Sequence, residues 1–170
     1  MGMALEVPSG YGLGNRVEEM KPLEDARYRL RLAIGFLEEA RQDLSLGRWR
    51  SCVDNAQLSV ENSLKSAIAL WGPIPQTHNP AEVLAEMMDQ GQIDETFREV
   101  VEKLLSCGEE LGPDVHVRTD YGDELSGLTP WEIFHEEDAR NAVAVAERAV
   151  GIVQDLLESL GREQGCSPQG

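Results

Sequence analysis

Glu61 and Lys65 stand four residues apart inside an apolar helical run, SVENSLKSAIALWGPIPQTH at 59–78, which breaks at Gly72-Pro73 and ends on His78. A pair like this has two uses. On a solvated helix face it adds about 0.2–0.5 kcal/mol to the helix. Half-buried beside Leu58 and Ile68, it neutralises itself until a phosphate or carboxylate arrives for Lys65, because a charge buried alone costs several kcal/mol.

A second polar group lies in GPDVHVRTDYGDELSGLTP, residues 112–130, which carries His116, Arg118, Asp120 and Tyr121. The guanidinium fork of Arg118 suits phosphate or carboxylate, and Tyr121 can stack on a base. The plainer reading pairs Arg118 with Asp120 or Asp123 to hold the segment together. His78 either ties the turn before Asn79 to the body of the protein or touches a ligand. Arg27 and Arg31 share one helical face and read first as solvated charges.

Other chemistries find little support. There is no GxxxxGK phosphate loop and no HExxH. The spacing of Cys52, Cys107 and Cys166 makes no CxxC pair, which excludes a cysteine-based zinc site. Glu132-Ile-Phe-His135 is an ExxH, but a carboxylate-bridged metal bundle needs a second one, and none is present. A metal site built from His78, His116 and His135 is a weaker alternative.

The elements that must position these groups are helical. Leu23, Ala26, Leu30, Ala33/Ile34, Leu37, Ala40 and Leu44 recur at three and four from Pro22, and Gly47 closes that first helix. A second begins near Arg48, with one stripe through Trp49, Val53, Ala56, Val60, Leu64, Ala67 and Trp71. Leu58 and Ile68 start another stripe, on the side that holds Glu61 and Lys65. A helix apolar on two sides is central to its fold. Pro73 stops it.

Asn79-Pro80-Ala81-Glu82 signals the start of a third helix, with Asn79 as cap, ending at Gly91. A fourth runs from Asp94 through Phe97, Val100/Val101, Leu104 and Leu111. Residues 112–130 show no clear period and read as a long functional loop. Thr129-Pro130-Trp131-Glu132 repeats the cap-Pro-x-Glu logic for a short turn. The last helix spans roughly Glu136–Leu160 with an alanine-rich first half. No strand alternation appears. The expectation is an all-α, antiparallel up-and-down bundle of four main helices plus short ones, over 21–160. Residues 1–20 read as a flexible leader and 161–170 as a flexible tail.

Of the 170 residues, 41% are hydrophobic and only 5% aromatic, so aliphatic side chains must fill the core. The net charge of −16 disfavours non-specific nucleic-acid binding. The charge is uneven: residues 79–114 hold ten acidic groups against Arg98 and Lys103, whereas residues 21–65 hold eight basic and seven acidic. The odd, scattered cysteines read as reduced thiols, two of them in the core, of a cytoplasmic protein. No apolar run reaches the ~18 residues of a membrane span.

The runs AQLSVENSLKSAIALWGPIPQTHNPAEVL, HVRTDYGDE and TPWEIFHEEDARNAVAVAERAVGIV, in that order, resemble the HEPN family of small α-helical bundles. The resemblance covers about residues 22 to 160. It matches Glu61 and Lys65 to the family's paired positions on the central helix, His78 to its histidine-bearing helix start, Arg118 with Tyr121 to its Arg-Tyr segment, and Glu136-Glu137-Asp138-Ala139 to the acidic start of the last helix. Many members are metal-independent ribonucleases or toxins marked by an Arg followed four to six residues later by a His. That signature is missing here; Arg118 precedes His135 by seventeen. The resemblance therefore implies a non-nuclease module that needs no cofactor. Such a module binds a nucleotide or phosphate-bearing ligand through Glu61, Lys65, His78, His116, Arg118, Asp120 and Tyr121, or partners a small nucleotidyltransferase, as a homodimer. The alternative is a ribonuclease with a rewired site at His116 and Arg118.

Overall fold

The computed structural model describes residues 21–165. The chain folds into α1 (Pro22–Ser45), α2 (Trp49–Ala69), α3 (Pro80–Asp89), a 3-10 turn (Glu95–Phe97), α4 (Arg98–Glu110), α5 (Pro113–Tyr121), α6 (Pro130–Ile133) and α7 (Glu136–Gly165). Among the described residues there is no strand, only an isolated antiparallel bridge between Asp123 and Leu128. None of the helices is long and apolar enough to cross a membrane.

The long helices alternate in direction. α1 and α2 are antiparallel, with the Ser59 hydroxyl donating to the Ala33 carbonyl at 2.7 Å and the Ser66 hydroxyl to the Ala26 carbonyl at 2.6 Å. Their register follows from a seven-residue repeat of small side chains. Ala26, Ala33 and Ala40 on α1 meet Ser66, Ser59 and Cys52 on α2, each stepping by seven, and all six are fully buried. Small residues at this period let two backbones approach closely, and the serine hydroxyls take carbonyls of the facing helix as acceptors rather than remaining unbonded in the core.

α7 returns along α1, where Arg41 pairs with Glu147 at 3.0 Å. α4 runs antiparallel to α7. α1 and α4 do not touch, whereas α2 contacts every other named helix. The expectation of a central second helix therefore holds. Its core partners include Ala139, Ala142, Ala146 and Val153 of α7, Leu84 of α3, and Val101 and Leu104 of α4. Cys52 and Cys107 are both buried free thiols, and burial, with Asp43 nearby, pushes the Cys52 thiol up to about 11.

Several local expectations are corrected. Residues 112–130 are not a structureless loop: Gly112-Pro113 opens α5, and Gly122 ends it at φ +72°. The helix is hard to see because the face it turns to α2 is polar, with Thr119 fully buried. Gly122 is obligatory, since a Cβ there would overlap the Leu128 carbonyl oxygen. Asn79 does not cap α3; its side-chain amide donates to Glu82, while its backbone N–H goes to the Thr77 hydroxyl. The Glu132 carboxylate does accept from the Thr129 backbone at 2.8 Å, as the cap signal implied. α7 continues through Gly165, past the expected tail boundary at 161. The leader, residues 1–20, and Cys166 lie outside the described residues.

The small-residue seam makes a testable demand. Replacing Ala33 with leucine forces a branched side chain between two backbones in contact. Urea unfolding should show a loss of about 1–3 kcal/mol, whereas Gly35→Ala on the exposed face of α1 should cost nothing.

Candidate functional site

The charged residues of α2 lie on one line. Arg50, Asp54, Leu58, Glu61 and Lys65 recur at three or four, so one edge of the central helix carries alternating charge. α5 and the turn before α3 pack along that edge and enclose it. At its deep end Glu61 is 4% exposed and Lys65 is 9% exposed. The ammonium of Lys65 donates to Glu61 Oε1 at 2.7 Å, so the pair is a buried ion pair and not a solvated helix ornament. Lys65 has no other partner among the described residues, which leaves two of its three donors free.

The second carboxylate oxygen of Glu61 lies 3.4 Å from Nδ1 of His78. The His78 ring, largely exposed, stacks on the His116 ring at 5.2 Å with 21° between the planes. His116 in turn sits between two carboxylates: Nδ1 is 3.6 Å from Asp54 Oδ1, just outside hydrogen-bond range, and Nε2 is 3.8 Å from Asp120 Oδ2. The result is a continuous chain of acid, base and imidazole from the core to the surface.

Arg50 anchors the outer end. Its guanidinium donates to the Thr119 carbonyl at 2.9 Å and lies within 4.0 Å of both Asp54 and Asp120. Thr119 closes the frame, its hydroxyl bonded to Asp54 at 3.1 Å and to the His116 carbonyl at 2.7 Å. α5 is therefore held to α2 by its own polar face. With neutral imidazoles, Lys65 and Arg50 face Glu61, Asp54 and Asp120, leaving one negative charge in excess. Protonating both histidines turns the cleft net positive.

The expected site residues fall into two groups. Glu61, Lys65, His78, His116 and Asp120 come together in the cleft. Arg118 and Tyr121 leave the opposite side of α5, because four-residue spacing puts His116 with Asp120 and turns the others away. They line an open depression of about 610 Å³ with Val117, Asp123 and Leu125. Arg118 does not pair with Asp120; its guanidinium lies 5.7 Å over the Phe134 ring. Among the described residues no group of three His, Cys, Asp or Glu is arranged to hold a metal ion. His135, exposed at the start of α7, donates its backbone N–H to Asp138 and takes no part in the cleft. Sequence reasoning missed Arg50, Asp54 and Thr119. The first two could have been found by extending the Glu61–Lys65 line two turns back; Thr119 had no signal, because its role depends on α5 packing against α2.

The family model described as "HEPN domain" matches residues 26–156. The chain is 24% identical over 152 residues to a Methanocaldococcus jannaschii protein named "Putative toxin MJ1304", covering 84% of this chain and 99% of that one. Its fold resembles the crystal structure of TT1696 from Thermus thermophilus, with a TM-score of 0.57 and 22% identity over 76% of this chain and 96% of that one.

Two outcomes test this region physically, the first at the ion pair and the second in the segment after α5. Lys65→Met leaves the Glu61 carboxylate buried without its partner and should cost about 3–5 kcal/mol in urea unfolding. The double variant Lys65→Met with Glu61→Leu should recover most of that loss. The second concerns acid. Hydrogen bonds from Thr129 hold the Glu132 carboxyl below its usual range, and those from Ser126 do the same for Asp123. Both carboxylates bind protons less tightly folded than unfolded. Their contribution is complete above the unfolded carboxylate range, near pH 4–4.5, and is lost as the pH falls through their lower folded values. Amide protection factors in 122–133 should therefore fall below about pH 4 while those of α2 hold.

Proposed function

Because the chain belongs to the HEPN domain family, we propose that it is an anion-binding HEPN module. Its ligand is a nucleotide or another phosphate-bearing molecule taken into the cleft over Lys65. The observation that carries this reading is the stacked His78–His116 pair, joined to the Lys65–Glu61 ion pair through the contact of His78 with Glu61. A phosphate entering between the imidazoles and the ammonium meets two free donors of Lys65 and competes with Glu61 for the third. Protonated imidazoles add charge-assisted bonds.

The family resemblance extends the reading to assembly, as a homodimer and as the companion of a small nucleotidyltransferase. Exposed Val117, Tyr121 and Leu125 beside the depression on the far side of α5 offer apolar surface for such a partner.

A second reading has its own observation. Two imidazoles 5.2 Å apart, each beside a carboxylate and close to a buried lysine, supply the parts of general acid–base cleavage of a phosphodiester. In this arrangement His78, rather than Arg118, is the partner of His116.

Calorimetric titration with AMP should show binding that is weakened about tenfold or more by His116→Ala and unchanged by Arg118→Ala. Equal affinity in the unaltered protein and in His116→Ala would remove the imidazoles from the reading. Labelled RNA incubated with the pure protein separates the alternatives: cleavage abolished by His116→Ala would establish an enzyme in place of a binding module.

A further inference from the structure

The outer side of α5, away from the His78–His116 cleft, is apolar where it meets solvent. Val117 and Tyr121 stand one helical turn apart, 53% and 65% exposed, and Leu125 follows them fully exposed. With Arg118 they wall the open depression of about 610 Å³ between α5 and the turn that follows it. Five of the seven large apolar side chains exposed among the described residues fall within 117–131, Leu128 and Trp131 completing the five. Trp131 also walls a separate, half-enclosed pocket with Trp49, bordered by Arg50.

The turn that carries Leu125 is stapled. Asp123 and Leu128 exchange both backbone hydrogen bonds, at 2.8 and 3.0 Å, and the Asp123 carboxylate accepts from the Ser126 backbone and hydroxyl. A leucine held at the tip of such a turn gains nothing for the monomer. In a complex its apolar area leaves water with little left to order. Tyrosine and arginine beside a depression are the side chains that anchor protein contacts.

The charge around the patch selects the occupant. Residues 113–132 carry five acidic side chains and one basic, Arg118. Asp120 belongs to the cleft, where Arg50 approaches it. Asp114, Asp123, Glu124 and Glu132 form no ion pair among the described residues. Asp123 and Glu132 are held by the uncharged donors of Ser126 and Thr129, which leave their negative charge in place. Four acids against Arg118, which lies over the Phe134 ring, make the rim net negative. Phosphate chains and anionic lipid are repelled from it. So is a second copy, since a symmetric contact sets the same rim against itself in a chain of net charge −16. A segment with lysine or arginine beside apolar side chains meets opposite charge and the depression together.

We propose that the outer face of α5 and the 123–128 turn form a docking surface for a basic, apolar-anchored segment of a partner protein. The inference rests on the partner half of the proposed function, to which it gives a chemistry, and on no anion in the cleft.

The test titrates the full chain, labelled with ¹⁵N, with a synthetic helical peptide of leucine and lysine, leucine at every third or fourth position. Amides of 117–128 should shift saturably. A peptide with glutamate in place of lysine should shift none of them, and one with serine in place of leucine should bind about tenfold or more weakly. Tyr121→Ser combined with Leu125→Ser should weaken the leucine–lysine peptide about tenfold or more while the amides of α2 and α7 keep their positions, because both side chains are exposed. Residues 79–110, with nine acidic groups against Arg98 and Lys103, are the internal control. Shifts centred there instead of in 117–128 mean that charge alone draws the peptide, and overturn the proposal. Unchanged affinity in the double variant overturns it too, as do shifts that follow protein concentration without peptide, which make a second copy the occupant. The peptide titration reads this surface and the AMP titration reads the cleft, so either can fail while the other stands.

Discussion

Residues 59–69, eleven in succession on α2, are buried, and five of them are polar or charged between Ser59 and Lys65. That constraint governs the architecture. A helix enclosed on every side can carry such groups only if each finds a partner within the fold, since an unmet polar group in the interior costs more than a hydrogen bond returns. Ser59 and Ser66 solve it by bonding to the backbone of α1. Asn62 bonds to the Leu58 carbonyl and accepts from Arg29, and Ser63 bonds back to Ser59. Glu61 and Lys65 solve it by pairing with each other.

The same constraint explains why the cleft is polar and rigid together. α5 offers α2 few large apolar side chains; it is fastened through Arg50, Asp54 and Thr119, a frame in which each group holds at least two others. Such a frame fixes the His116 ring more firmly than a loop would, and the stack then orients His78, whose own segment lacks regular structure. Position and charge are coupled here, because the carboxylates beside the imidazoles belong to the same frame that holds α5 to α2.

Membership of the HEPN family accounts for the succession of helices. It does not account for the Trp49–Trp131 pocket, which depends on local packing of α6 against the α1–α2 turn. That pocket and the imidazole cleft both border Arg50.

Apolar periodicity determined the long helices and the central place of α2, because those features depend on side-chain type at intervals of three and four, and proline's missing donor marked the break at Gly72-Pro73. The burial of Glu61 and Lys65 was open in the sequence, since a charged pair on a helix has the same spacing in water and in a crevice. α5 escaped notice because its packed face is polar: its buried Thr119 and half-buried His116 are residues that look like loop composition until α2 supplies their partners. The division of His116 and Asp120 from Arg118 and Tyr121 followed only once that segment was a helix, since a loop lets all four converge whereas 3.6 residues per turn does not. Tertiary packing decided those points, because each depends on which group a neighbouring helix brings within bonding distance.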